Sequence, residues 1–253
     1  MNYLAHLHLG GQLPAQLLGS LYGDFVKGRL QGQFSPQIES AIQLHRSIDR
    51  FTDSHPLVDE ALSRFSLTRK RYAGIVLDVF FDHCLARDWA LYAEQPLERF
   101  TAQVYRVLAA EPQLPGRLAQ IAPYMAADDW LGSYREFAVM EQVLRGISRR
   151  LTQPQELGHA MQELRVLYEP LSEDFRLFYP ELQKFAQLPH LNRCSVHLRP
   201  QMQVEPPPAQ LPATAQTTLS APPAAPDTPA PHVPARHRQS AGAHESPHHP
   251  GHY

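Results

Sequence analysis

One stretch, GIVLDVFFDHCLARDW at residues 74–89, constrains the fold of this chain more than any other. It reads as a helix that is apolar on every face, with Ile75, Val76, Leu77, Val79, Phe80, Phe81 and Leu85 in succession. A helix that is hydrophobic all round has to be buried all round, so other elements must enclose it. Asp78 and Asp82 are four residues apart and therefore share one of those buried faces, with His83 beside Asp82 about a quarter turn away. Two carboxylates in such a setting are costly unless cations or a metal compensate them.

The enclosing elements also read as helices. Ser35-Pro36 is a start signal, a capping residue followed by proline at the first helical position. From there the apolar spacing of Ile38, Ile42, Leu44 and Ile48 predicts a helix to about Thr52. After the break at His55-Pro56 a shorter helix passes through Val58, Leu62 and Phe65. Thr68 can cap the next, at about residues 69–92, and further helices are predicted at about 96–110, 115–127, 129–150 and 154–186. Pro170 and Pro180 should kink or split the last one. No segment alternates like a strand. The expected fold class is all-α, a single helical bundle domain over residues 1–190.

Residues 200–253 hold 13 of the 24 prolines and 6 of the 14 histidines, with few large apolar side chains. Such a stretch cannot bury enough surface to offset its ordering entropy, so residues 191–253 are expected to form a disordered Pro/Ala/His-rich tail of no catalytic consequence. A formal net charge of -2 argues against a general nucleic-acid binder. Cys84 and Cys194 give no disulfide framework. No Lys or Arg precedes the apolar residues of MNYLAHLHLGG, and no apolar run is long enough to cross a bilayer. The expectation is a cytoplasmic protein without a membrane partner.

QLHRSIDRFTD, residues 43–53, supplies a second constellation. His45, Asp49 and Asp53 are spaced by four, with Thr52 on the same stripe, so an imidazole and a carboxylate one turn apart can reach one ion. Asp24 is a third acid among apolar residues, and His6 and His8 add nitrogen donors. Each has a plainer alternative. Such pairs are usually solvated or hydrogen-bonded, Asp53 can simply end one helix, and His6 and His8 can be satisfied core residues. The coincidence of acid and imidazole on two separate apolar helices favours a metal site. Mixed His and Asp ligands suit manganese, iron or magnesium better than structural zinc.

MNYLAHLHL, the GDFVKG segment, HRSIDRFTD and LDVFFDH, taken in order, resemble the acyl carrier protein phosphodiesterase family over about residues 1–190. That family is similar to the helical HD phosphohydrolases, although Asp82 here precedes His83, the reverse of their usual order. The resemblance implies an HD-phosphohydrolase-like bundle that hydrolyses the phosphodiester between 4′-phosphopantetheine and the carrier protein's serine. It implies a divalent cofactor, manganese first, with magnesium or iron as alternatives. Acyl carrier protein would be the substrate and partner.

On this reading Asp24, His45, Asp49, Asp82 and His83 are the candidate metal ligands. Asp78 ligates or orients a ligand, and His6 or His8 protonates the leaving serine oxygen or ligates. Arg46 and Arg50 flank the His45–Asp49 stripe as candidate phosphate forks. Arg69, Lys70 and Arg71, together with Arg64 and Lys27, form a candidate basic surface for an acidic carrier protein. Two rival functions stand beside this one: an HD-like phosphohydrolase acting on a nucleotide or other small phosphoester, and a non-catalytic helical interaction protein.

Overall fold

A computed structural model describes residues 1–66, 70–148, 160–188 and 191 of the chain. The tail expected beyond residue 190, the capping role given to Thr68 and the basic residue Arg69 lie outside the described residues, Leu191 excepted. Among the described residues the fold is all-helical, with no strand.

Chain order gives α1 (Tyr3–Gly10), α2 (Pro14–Phe25), α3 (Pro36–Asp53), α4 (Pro56–Ser63) and α5 (Ala73–Arg87). After a single 3₁₀ turn at Trp89–Leu91 come α6 (Leu97–Ala110), α7 (Gly116–Ala127), α8 (Trp130–Ser133), α9 (Val139–Ser148), α10 (Ala160–Val166) and α11 (Tyr168–Ala186). Several starts follow the expected chemistry. Ser35 Oγ accepts from the Ile38 amide at 3.4 Å, with Pro36 at the first helical position.

Three expectations are corrected. The helix predicted at about 69–92 is shorter at both ends, since α5 runs from Ala73 to Arg87. The segment predicted as one helix at 129–150 is two, α8 and α9, after a break where Asp129 adopts a left-handed backbone (φ 42°) and caps the Gly132 amide. The split expected at Pro170 or Pro180 falls instead before Tyr168, and α11 continues through Pro180. The carbonyl that Pro180 leaves without a donor is that of Arg176, an exposed residue, where water can serve it.

The fully buried helix is where the sequence places it. Every residue of α5 from Ile75 to Ala86 is buried, enclosed by contacts with α1, α4, α9 and α11. Cys84 within it is free, its thiol pushed up to about 12, chiefly by burial, so it packs rather than reacts. No described helix is long and apolar enough to cross a membrane.

The tightest helix pair is α2 against α3. The two run in the same direction, since Gly19 lies against Ile38 and Ala41 and Gly23 lies against His45. Helix α1 runs the other way, with Gly10 beside Ser20 and Tyr3 stacked on Phe25. The start of α1, the end of α2 and the last turns of α3 therefore meet at one end of the bundle.

A methyl group added at Gly19 would sit 2.4 Å from Ala41 Cβ and 2.6 Å from the Ile38 carbonyl oxygen. Gly19→Ala should therefore destabilise the protein by about 1–3 kcal/mol by overpacking. Chemical denaturation measures this, and an unchanged midpoint would show that α2 and α3 can separate at little cost.

Candidate metal centre

His6 on α1 and His45 and Asp49 on α3 are the group of His, Cys, Asp or Glu donors, among the described residues, whose ligand atoms come within 4.8 Å of one another. The imidazoles of His6 and His45 lie face to face, with centroids 3.6 Å apart and planes 16° from parallel. His6 Nε2 stands 3.1 Å from Asp49 Oδ1, and His45 Nε2 stands 3.3 Å from Asp49 Oδ2 and 3.8 Å from Asp24 Oδ1. His6, His45 and Asp24 are buried, while the Asp49 side chain is 34 % exposed and marks where solvent reaches the group.

Local sequence explains this convergence. His45 and Asp49 are one turn apart on α3 and so point the same way. Gly23 on α2 leaves room for the imidazole, because a Cβ there would fall 2.2 Å from His45 Cγ. The Ser20 carbonyl accepts from His45 Nδ1 at 2.7 Å, which fixes the tautomer and turns the Nε2 lone pair towards Asp24 and Asp49.

The hydrogen bonding is incomplete in an informative way. Although His6 Nε2 is within hydrogen-bond length of Asp49, the direction is wrong, and neither His6 nitrogen has a hydrogen-bond partner. Asp24 Oδ1, Asn2 Oδ1 and Thr52 Oγ1 are also buried without one. Buried polar atoms are normally satisfied. Orphaned nitrogen and oxygen atoms that converge from three helices are what a cation site looks like before the cation is counted, and the donor set suits a divalent ion of intermediate hardness. These residues fit such an ion.

The electrostatics agree. Burial and the neighbouring His45 lower His6 to about 4, keeping it neutral. Burial opposes charge on His45, but Asp24, Asp49 and the Ser20 carbonyl together outweigh it and raise its pKa. Burial would raise Asp49, yet His6 and His45 hold it far below the usual carboxylate range. Burial dominates at Asp24, which is pushed up to about 7 against the opposing pull of His45. A proton on His45 thus partly stands in for the missing positive charge.

The other acids and imidazoles named from the sequence go elsewhere. Asp82 is fully buried and accepts from the amides of Leu4 at 2.8 Å and Ala5 at 3.2 Å, so it caps the start of α1 from α5. Asp78 faces the Met1 amino group at 3.0 Å. His83 has both nitrogens engaged, Nδ1 with the Tyr134 carbonyl at 2.8 Å and Nε2 with the Tyr168 hydroxyl at 2.9 Å. His8 is held likewise, Nδ1 by the Tyr179 hydroxyl at 2.7 Å and Nε2 by the Tyr92 carbonyl at 3.0 Å. Neither His8 nor His83 has a ring nitrogen left to ligate or to move a proton. The structure thus replaces Asp82 and His83 with His6 in the convergent group, and Asp49 joins α1 to α3 across it. Asn2 stands four residues before His6.

The basic residues divide in the same manner. Arg64 is tied to Asp174 at 2.7 Å and to Glu60 at 3.1 Å. Lys70 and Arg71 are exposed ahead of α5, with Arg71 over the Tyr72 ring. Beside the centre, Arg46 donates to the Val26 carbonyl at 2.9 Å, Arg50 donates to Ser47 Oγ at 2.9 Å, and Lys27 lies close enough to act on the Asp24 charge.

The chain matches the family model described as Acyl carrier protein phosphodiesterase over residues 1–182. It is 38 % identical over 189 residues to a Yersinia enterocolitica protein named acyl carrier protein phosphodiesterase, covering 74 % of this chain and 98 % of that one. A Klebsiella pneumoniae protein of the same name is 36 % identical over 189 residues, with the same two coverages. An Escherichia coli protein of that name is 36 % identical over 188 residues, covering 74 % and 97 %. No solved structure matches.

The Asp24 pKa of about 7 lies above the ordinary carboxyl value, so the folded chain holds a proton that the unfolded chain has released. Metal-free stability should therefore fall as pH rises through about 7. A divalent cation held there would displace that proton, so any manganese affinity measured by calorimetry should rise about tenfold or more from pH 6 to pH 8. An affinity independent of pH over that range would contradict this assignment of Asp24.

Proposed function

The chain belongs to the acyl carrier protein phosphodiesterase family, and from that premise we propose that it hydrolyses the phosphodiester joining 4′-phosphopantetheine to the serine of holo acyl carrier protein, with a divalent metal, manganese first, as cofactor. The products are apo carrier protein and free 4′-phosphopantetheine. The observation that carries the metal dependence is the convergence of His6, His45 and Asp49, with Asp24 at 3.8 Å from His45, around orphaned buried donors. These four residues would hold the ion. When bound, it supplies neutralisation of the anionic phosphodiester and polarisation of a phosphoryl oxygen.

The chain's own residues do the rest. Asp49, at the exposed edge, sets where the phosphodiester can enter. The Ser20 carbonyl keeps His45 in the tautomer that presents Nε2. Asp24, buried beside His45, would complete the donor set once the cation has taken the place of its proton. Arg46 and Arg50, near Asp49 on α3, would bind phosphate oxygens, with Lys27 close to Asp24. This rim also supplies the positive field that an acidic carrier protein would follow.

Manganese-loaded protein incubated with holo acyl carrier protein should remove the phosphopantetheine mass from the carrier. His45→Ala should lower that rate by at least about 100-fold, since it removes both a ligand and the group that Ser20 orients. An intact carrier mass with wild-type protein would reject this function. Asp49 and the metal also serve the rival small-phosphoester reading, whereas the basic rim does not. Lys27→Glu combined with Arg50→Glu should raise KM for the carrier protein about tenfold at low salt with kcat little changed, and an unmoved KM would remove the rim from docking.

A further inference from the structure

Asn2 occupies the capping position of α1, yet its side chain makes no capping bond. The work is done instead by Asp82, whose carboxylate takes the Leu4 and Ala5 amides from α5. An asparagine at a helix start ordinarily spends its side-chain oxygen on those amides. Here the carboxamide is released from that task. Its Nδ2 donates to the Tyr134 hydroxyl at 2.7 Å, and its Oδ1 is buried with no partner, Asn2 being only 1 % exposed.

The position of this orphaned acceptor ties it to the metal centre. Asn2 precedes His6 by four residues, and the His6 amide bonds back to the Asn2 carbonyl at 3.4 Å, so Asn2 stands one turn before His6, which lies against His45 and Asp49. The antiparallel course of α1 puts its start beside the end of α2, where Tyr3 stacks on Phe25, the residue after Asp24. Tyr134, which holds the carboxamide, is fully buried and lies within the fields of Asp82 and Asp24. One end of the carboxamide is thus pinned, while the other is buried without a partner one turn before His6.

We propose that Asn2 is a positioning residue for hydrolysis, its Oδ1 accepting a hydrogen bond from the attacking water; this rests on the phosphodiesterase reading above. In the reaction the water oxygen bonds to phosphorus as one of its O–H bonds breaks, the phosphorus–serine oxygen bond breaks, and the proton that the water gives up is balanced by the one that the serine oxygen takes. The neutral carboxamide gains and loses no proton. It fixes one O–H of the water so that a lone pair faces phosphorus, and Tyr134 keeps it from rotating.

The test uses the full, manganese-loaded chain with holo carrier protein. Asn2→Leu keeps the side-chain size, removes the polar atoms and leaves the Asp82 cap in place. It should lower kcat by about 100-fold, the cost of a misplaced reactant, while KM and manganese affinity stay within about twofold of wild type. An unchanged kcat overturns the proposal. A parallel loss of manganese affinity also overturns it, because Asn2 would then be a ligand. Should Asn2→Leu fail to fold, Tyr134→Phe decides: it frees the carboxamide and should lower kcat about tenfold with affinity for manganese retained, and an unchanged kcat rejects the role. An inactive wild-type chain sinks the functional reading and this role together, whereas an active wild type with an indifferent Asn2→Leu sinks the role alone.

Discussion

The described structure turns on one electrostatic constraint, the desolvation of four electron-rich groups at a single place. His6, His45, Asp24 and Asp49 approach one another within a few ångströms inside a helical bundle. Their lone pairs repel unless a positive charge sits among them. A proton shared through His45 satisfies part of that demand, but His6 and Asp24 still keep atoms without hydrogen bonds. Such an arrangement costs stability by itself, and a cation held there would offset that cost, because its binding would draw on the same free energy as folding. The charge requirement therefore connects the fold to its chemistry.

Holding those groups in place depends on how closely two backbones approach. Gly19 and Gly23 bring α2 against α3, one admitting Ala41 and the other the His45 ring. With any larger residue at position 23 the imidazole could not lie against α2 and donate to the Ser20 carbonyl. Helix α1 then closes the site by laying His6 on His45. Three helices from the first 53 residues thus build the centre, while α5 and α11 provide the core on which they rest.

The sequence made the fold class and the burial of α5 legible, because an all-round apolar helix has no alternative placement. It also exposed the His45–Asp49 pair, whose spacing alone makes the two side chains neighbours. It misplaced the partners. Asp82 and His83 sit in the most apolar surroundings and so looked most in need of a metal, but backbone amides of α1 and two tyrosines meet their needs. Periodicity reports that a polar group is buried and says nothing of which distant backbone group will reach it. His6 and His8 show the same limit: two residues apart on one short helix, they face opposite fates, one left with two open nitrogens and the other with both closed. Helix boundaries around residues 129–139 were hidden for a related reason, since the left-handed turn at Asp129 is held by Tyr105 and Gly132 rather than by a local breaker.

The position of Asp82 follows from this division of labour. A carboxylate at a helix start normally comes from the helix's own first residues. Supplying it from α5 couples the start of α1, the helix that carries His6, to the buried core. It also removes Asn2 from capping and leaves a buried neutral polar group one turn before His6. A charged residue there would bury one more charge, and an apolar one would leave the Tyr134 hydroxyl without its bond. An amide meets both conditions. The acids of α5 therefore serve the centre without touching it, by fixing the helix that presents its histidine.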